Sequence, residues 1–295
     1  MVEIIERQNG VIRTNTKIVS IDHEKRLLST ETGKIYGYRR LIWAVDMKSL
    51  YRTVNLNSVK DDRIKQAIHK RHQAISDKSG NDSVLTVYAA VDINKSYFAK
   101  IATEHFFYTP SSTGQSVAGP IPTDKDRQTI EKWLQKFFAL TTYEISIPVL
   151  RDSRLAPDGK TGLVVSVLFD YRLTKHIEGA GWYDDFKALC EECVINTLNT
   201  TIYPGIKEAI LHQFSSTPLS IARITGNSEG AITGWSFKND PMPAEYRLPK
   251  IFKATQTPIP GIVQAGQWTY SPSGLPISIL TGKLASDRVI KEIKA

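Results

Sequence analysis

Three groupings in the sequence hold residue types that can do chemistry. Gly226-Asn227-Ser228-Glu229-Gly230 has the G-x-S-x-G spacing of a serine nucleophile. Such a serine works at a sharp strand-to-helix turn that exposes its hydroxyl. The AITGW that follows is β-like and starts no helix, so an esterase is not expected. Cys190 and Cys193 stand as C-x-x-C, well inside a run with helical periodicity over residues 182–198. A redox pair puts its first thiol at a helix N-terminus, where the thiolate is stabilised. Two cysteines also cannot complete a zinc site. Structural thiols are the expectation. The six histidines are scattered without an H-E-x-x-H, so no metal site is expected. Gly179-Ala180-Gly181 lacks a third glycine at dinucleotide spacing.

The third grouping closes the chain. Pro258 and Pro260 stiffen the approach and bar a helix. Residues 261–265 are an apolar run of strand length, and Gly266 with Ser271-Pro272-Ser273-Gly274 makes a loop. Pro276 suits the first turn of a helix, because the N–H it lacks would be unpaired there. Ile277, Leu280, Leu284, Ile290 and Ile293 then recur at helical spacing. The order is strand, glycine-bearing loop, helix. A helix N-terminus offers free N–H groups and partial positive charge, which suit an anion or an electron-rich oxygen. An ordinary strand-to-helix connection has the same spacing.

The elements that must position this loop are short. Residues 2–8 read as the end of an amphipathic helix, closed by Asn9-Gly10. Strands are expected over 11–14, 17–22, 26–30 and 38–44, then one helical turn over 47–52 and a basic helix over 61–75. The middle alternates strands (83–93, 105–108, 144–150, 162–170) with helices (124–140, 182–198, 206–214). The GLVVSVLFD run is nearly all apolar and is expected to be buried on both faces. Short strands are expected over 221–225 and 231–235. The helix over 124–140 puts Ile130, Trp133, Leu134, Phe137 and Phe138 on one face, fit for the core, a substrate tunnel or lipid.

Three stretches together resemble the phytoene desaturase and carotenoid isomerase family, whose fold is the amine-oxidase-like FAD fold. The C-terminal stretch matches at Thr257-Pro258-Ile259-Pro260-Gly261, Gly266-Gln267-Trp268, Ser273-Gly274-Leu275-Pro276 and Gly282-Lys283-Leu284-Ala285. Ser273 departs from a common glycine pair, and Thr281 from the usual serine. A middle cofactor segment matches at Asn9-Gly10-Val11-Ile12, Val19, Ile21 and Ile42-Trp43-Ala44-Val45-Asp46. TPLSIARITGNSEGAITGW, residues 217–235, matches a third motif, with Thr233 where tyrosine is common. The resemblance covers most of the chain in order. It implies an α/β (mixed α+β) fold: a partial Rossmann-like FAD-binding domain from residues 1–50 and 257–295, and a mixed-sheet substrate domain over 51–256. It implies FAD contacts at Val19, Ala44, Gly266, Gln267, Trp268, Gly274, Leu275 and Pro276. Phe106, Tyr108, Phe137 and Trp235 are the candidate lining for an isoprenoid or carotenoid-like substrate. The expected chemistry is hydride transfer to flavin or flavin-assisted isomerisation, with the cofactor carrying the reaction. No acid or base is assigned. The family's opening G-x-G-x-x-G, which binds the pyrophosphate, has no counterpart in this sequence. The chain is therefore expected to correspond to roughly the C-terminal three-fifths of a family member, with its affinity for FAD much weakened or lost. Rab GDP-dissociation inhibitors share the fold without flavin catalysis, so a non-catalytic isoprenoid or lipid binder is the alternative.

Composition agrees with a globular chain: 295 residues, 41% apolar and 23% charged. The formal charge of +8 favours anionic surfaces. No zinc finger, arginine-rich arm or RNP-like motif accompanies it, so a nucleic-acid partner is not expected. No apolar run is long enough to span a bilayer, and residues 1–10 do not read as a signal peptide. A cytoplasmic protein with peripheral membrane contact is the expectation.

Overall fold

In the computed structural model, which describes residues 1–294, the chain opens with α1 (Val2–Arg7), a short helix with no buried residue. β1 (Ile18–Asp22), β2 (Leu27–Thr30) and β3 (Ile35–Gly37) then form an antiparallel meander. Asp22 shapes its first turn by accepting the Lys25 N–H at 3.0 Å. Residues 11–14 are not a strand, and β3 stands where none was expected. β4 (Leu41–Trp43) leads into α2 (Met47–Thr53) and α3 (Asp62–Ser76). Each helix starts on an aspartate: Asp46 accepts the Ser49 N–H at 2.8 Å, and Asp61 the Arg63 N–H at 2.8 Å.

The middle of the chain is an antiparallel sheet with helices on one face. It comprises β5 (Ser83–Val91), α4 (Lys95–Ala99), β6 (His105–Tyr108), α5 (Arg127–Leu140), β7 (Tyr143–Ser146) and β8 (Thr161–Phe169). α6 (Tyr171–Gly179), α7 (Tyr183–Thr200), β9 (Ile210–Ser216) and α8 (Pro218–Thr225) follow. The strand order is β6-β7-β8-β5-β9. β5 and β8 pair along their whole length, from Ser83↔Phe169 to Val91↔Thr161. Leu85, Val87, Leu163, Val165 and Val167 point into a core shared with Leu134 and Phe138 of α5 and Phe186 and Val194 of α7.

Three expectations are corrected here. β8 is buried on one face only: on the other, Gly162, Val164 and Ser166 are half-buried and Leu168 is 57% exposed. The stretch expected to be a helix over 206–214 is a single 3-10 turn followed by β9, since the edge of β5 recruits it in register from Ser216↔Thr86. The strand expected over 221–225 belongs to α8. There Thr217 and Ser220 form a capping box with Pro218 in the first turn, and that start signal outweighs the β-branched residues after it. Residues 231–235 form no strand.

The chain ends with α9 (Ile251–Ala254), β10 (Ile262–Gln264) and α10 (Leu275–Lys294). β10 returns to pair in parallel with β4, Ile262↔Leu41 through Gln264↔Trp43. The fold is thus α/β, built as two compact units: Met1–Ser79 with Thr233–Ala295, and Gly80–Ile232. The sequence expectation instead divides the chain at residues 50 and 256. Among the described residues no helix is long and apolar enough to cross a membrane.

Candidate functional site

The site is built on the parallel pair. β4 and β10 run together, so their carboxyl ends, Ala44 and Gly266, come side by side, and ligands of open α/β sheets gather at such ends. The Ala265 N–H donates to the Trp43 carbonyl at 2.9 Å, the last rung of the ladder. Gly266 then turns the chain away with φ +90, its α-carbon face directed at the Ala44 carbonyl. Its N–H donates to Thr281 Oγ1 at 3.0 Å, and that hydroxyl donates to the Ile277 carbonyl at 2.8 Å. Thr281 therefore ties the loop to the first turns of α10. Val263, Ala265 and Ala285 pack beneath this tie.

A pair of tryptophans holds the far side of the loop. Trp268 is buried and meets Trp235 edge to face, with ring centroids 4.9 Å apart at 83°. Trp235 Nε1 donates to the Trp268 carbonyl at 2.9 Å. Gly234, at φ +76, passes so close to Gln267 that an added Cβ would lie 2.3 Å from its carbonyl oxygen. The Lys48 ammonium, itself buried, lies 5.9 Å from the centre of the Trp235 ring. At the start of α10, Leu275 and Pro276 face solvent, while the Ser273 hydroxyl just before them is buried without a hydrogen-bond partner.

The expected cofactor residues thus fall into groups. Ala44 and Gly266 adjoin; Gln267 and Trp268 are clamped by Gly234 and Trp235; Gly274, Leu275 and Pro276 form the helix start. Val19 lies on the separate meander, 45% exposed. Trp235, expected to line a substrate tunnel, is 1% exposed against Trp268 and supports the loop instead. Phe137 is also corrected: it fills the helix-covered core, stacked on Trp133. Phe106 and Tyr108 are half-buried against that same core. The open face of the sheet, which the sequence analysis did not single out, carries Tyr88 and Phe214 stacked at 4.8 Å. They border an apolar groove of about 230 Å³ with Ala90, Val164 and Leu155. Tyr88 and Phe214 meet through the β5–β9 register, a long-range pairing that no local sequence pattern signals.

Neither the G-x-S-x-G nor the C-x-x-C stretch stands at the start of an α-helix. Ser228 follows helix α8 and lies in a 3-10 turn, with no strand before it and no helix after it. Cys190 and Cys193 are mid-helix in α7 and unpaired as a disulfide, and burial raises both thiols, Cys193 to about 11. Among the described residues no group of three or more His, Cys, Asp or Glu could hold a metal.

No protein-family model and no curated protein matches the sequence. Solved structures do match the fold. An oxidoreductase from Methanosarcina mazei aligns over 98% of this chain and 52% of its own, with TM-score 0.52 and 12% identity. A putrescine oxidase triple mutant, redesigned in its cofactor binding, aligns over 98% of this chain and 52% of its own, with TM-score 0.56 and 11% identity. Reduced UDP-galactopyranose mutase aligns over 72% of this chain and 36% of its own, with TM-score 0.46 and 13% identity. At these identities the first two likenesses concern the fold. The chain spans about half the length of those two proteins.

Proposed function

We propose that this chain carries the flavin-ring end of an FAD-dependent oxidoreductase of the phytoene desaturase or carotenoid isomerase type, acting on a long apolar isoprenoid or polyene. The observation that carries the reading is the loop from Gly266 to the start of α10, at the carboxyl ends of two parallel strands, with the Ser273 hydroxyl buried and unpartnered. These residues fit a flavin ring. The helix start supplies donors and positive potential where a reduced ring would carry negative charge, and exposed Leu275 and Pro276 supply an apolar wall. Bound FAD would supply the hydride acceptor. Gly266, Gln267 and Trp268 would hold the ring edge, with Gly234 and Trp235 bracing them. No glycine-rich pyrophosphate loop stands in this sequence, so these contacts alone should hold FAD weakly. On the other unit, the Tyr88–Phe214 groove is the surface suited to an apolar chain.

Titrating FAD into the purified chain and following flavin fluorescence tests the reading. Saturable quenching is expected, weakened at least tenfold by Leu275→Glu, which sets a carboxylate at an exposed position beside the ring without disturbing a core. No saturable response, together with saturable binding of a fluorescent polyene, would replace the enzyme by the non-catalytic apolar binder.

A further inference from the structure

The net charge of +8 is unevenly shared. The unit Met1–Ser79 with Thr233–Ala295 has 24 Lys and Arg against 13 Asp and Glu, a net +11; the unit Gly80–Ile232 has 14 against 17, a net −3. Within the basic unit, one segment turns large apolar side chains to solvent. Tyr246 is 59% exposed, Leu248 65% and Phe252 54%. Between and beside them stand Arg247, Lys250 and Lys253. The backbone beneath is held firmly. The Ser271 N–H donates to the Glu245 carbonyl at 2.9 Å, Tyr270 Oη to the Tyr246 carbonyl at 2.9 Å, and Gln264 Nε2 to the Ala254 carbonyl at 2.7 Å. The side chains project from a fixed frame. Beside the segment, α9 and α10 leave a groove of about 400 Å³ between Phe252, Leu284, Arg288 and Lys291.

We propose that this face, Tyr246 to Lys253 with the adjoining end of α10, docks on an anionic lipid bilayer. The inference does not rest on the flavin reading. Its physical basis is the pairing of two properties. Aromatic and aliphatic side chains set at headgroup depth gain by leaving water. Lysines and arginines around them are drawn to anionic lipid, each contributing a several-fold gain in affinity. Three acids border the face, and each is engaged: Glu245 by Arg247, whose guanidinium lowers its carboxyl to about 2, and Asp287 and Glu292 of the groove by Lys283 and Arg288, which leaves Lys250, Lys253 and Lys291 to attract the lipid. A protein partner would favour a broader apolar patch with fewer lysines, which are depleted at such interfaces.

Sedimentation with vesicles of phosphatidylcholine alone and with added phosphatidylserine tests the proposal on the whole chain. Binding is expected only to the anionic vesicles and should fall steeply as salt is raised. Lys250→Glu with Lys253→Glu should weaken it at least tenfold, and Leu248→Ser with Phe252→Ser should weaken it while retaining part of the salt dependence. Lys132→Glu with Lys136→Glu, on the other unit, should leave it unchanged. Equal binding by all variants, or none by the parent chain, overturns the proposal. So does self-association in sedimentation velocity that is lost in Leu248→Ser/Phe252→Ser while vesicle binding persists, because the face would then join copies of this chain.

Discussion

Gly234 shows how little space a residue can be given. Its backbone sits at φ +76, and the Gln267 carbonyl occupies the place a side chain would take. Gly234→Ala would add both strain and a clash, and is expected to lower stability by roughly 1–3 kcal/mol, read as a shifted denaturant midpoint. Flavin affinity should fall with it, since the same carbonyl belongs to the loop. Neither fact was legible in the sequence. Trp235 was expected among the tunnel-lining residues of the middle region; only the fold places it against Trp268. The cysteines were legible, because C-x-x-C in mid-helix has no way to stabilise a thiolate. Burial is the main reason both thiols titrate high. Iodoacetamide should therefore label the native chain poorly at pH 8 and rapidly once unfolded. The sign for stability follows. The folded state favours the neutral thiol, so that contribution is intact below the ordinary value of 9.0 and is lost as pH rises towards about 11.

At the scale of elements, α8 depends on its first residue. Thr217 accepts the Ser220 N–H while its own N–H donates to Ser220 Oγ at 3.1 Å, and its hydroxyl meets Tyr183 Oη at 2.6 Å. Thr217→Ala should cost about 1–2 kcal/mol, whereas Thr217→Ser should cost less, a difference visible in thermal unfolding. The sequence held this start signal, Thr-Pro followed by Ser, but the β-branched residues of IARIT were weighted more heavily. β9 failed for another reason. Ile206 and Ile210 recur at helical spacing, yet an antiparallel edge needed a partner, and pairing with β5 is a long-range fact that no window of sequence contains. Long helices with strong periodicity, α3, α5 and α7, were read correctly because their apolar stripes are local. The β10–loop–α10 order was equally legible, since prolines, glycines and a 3.6 period mark each boundary.

The molecule as a whole is two units of opposite charge, and composition summed over the chain conceals that. Part of the site was also concealed. The motif residues of the C-terminal stretch could be read, but the brace from Gly234, Trp235 and Lys48 comes from elsewhere in the chain. One further property follows from β4. Its Leu41 N–H and Trp43 carbonyl face β10, so strand geometry turns the Ile42 N–H and carbonyl the other way, and among the described residues no strand meets them. Ile42 and Val45 at that border are exposed and uncharged. Natural edges are usually guarded by lysine, proline or a bulge; this one has none of the three. In concentrated stock this bare rim is where two molecules are expected to zip together, and Ile42→Lys should slow the turbidity that light scattering records on storage.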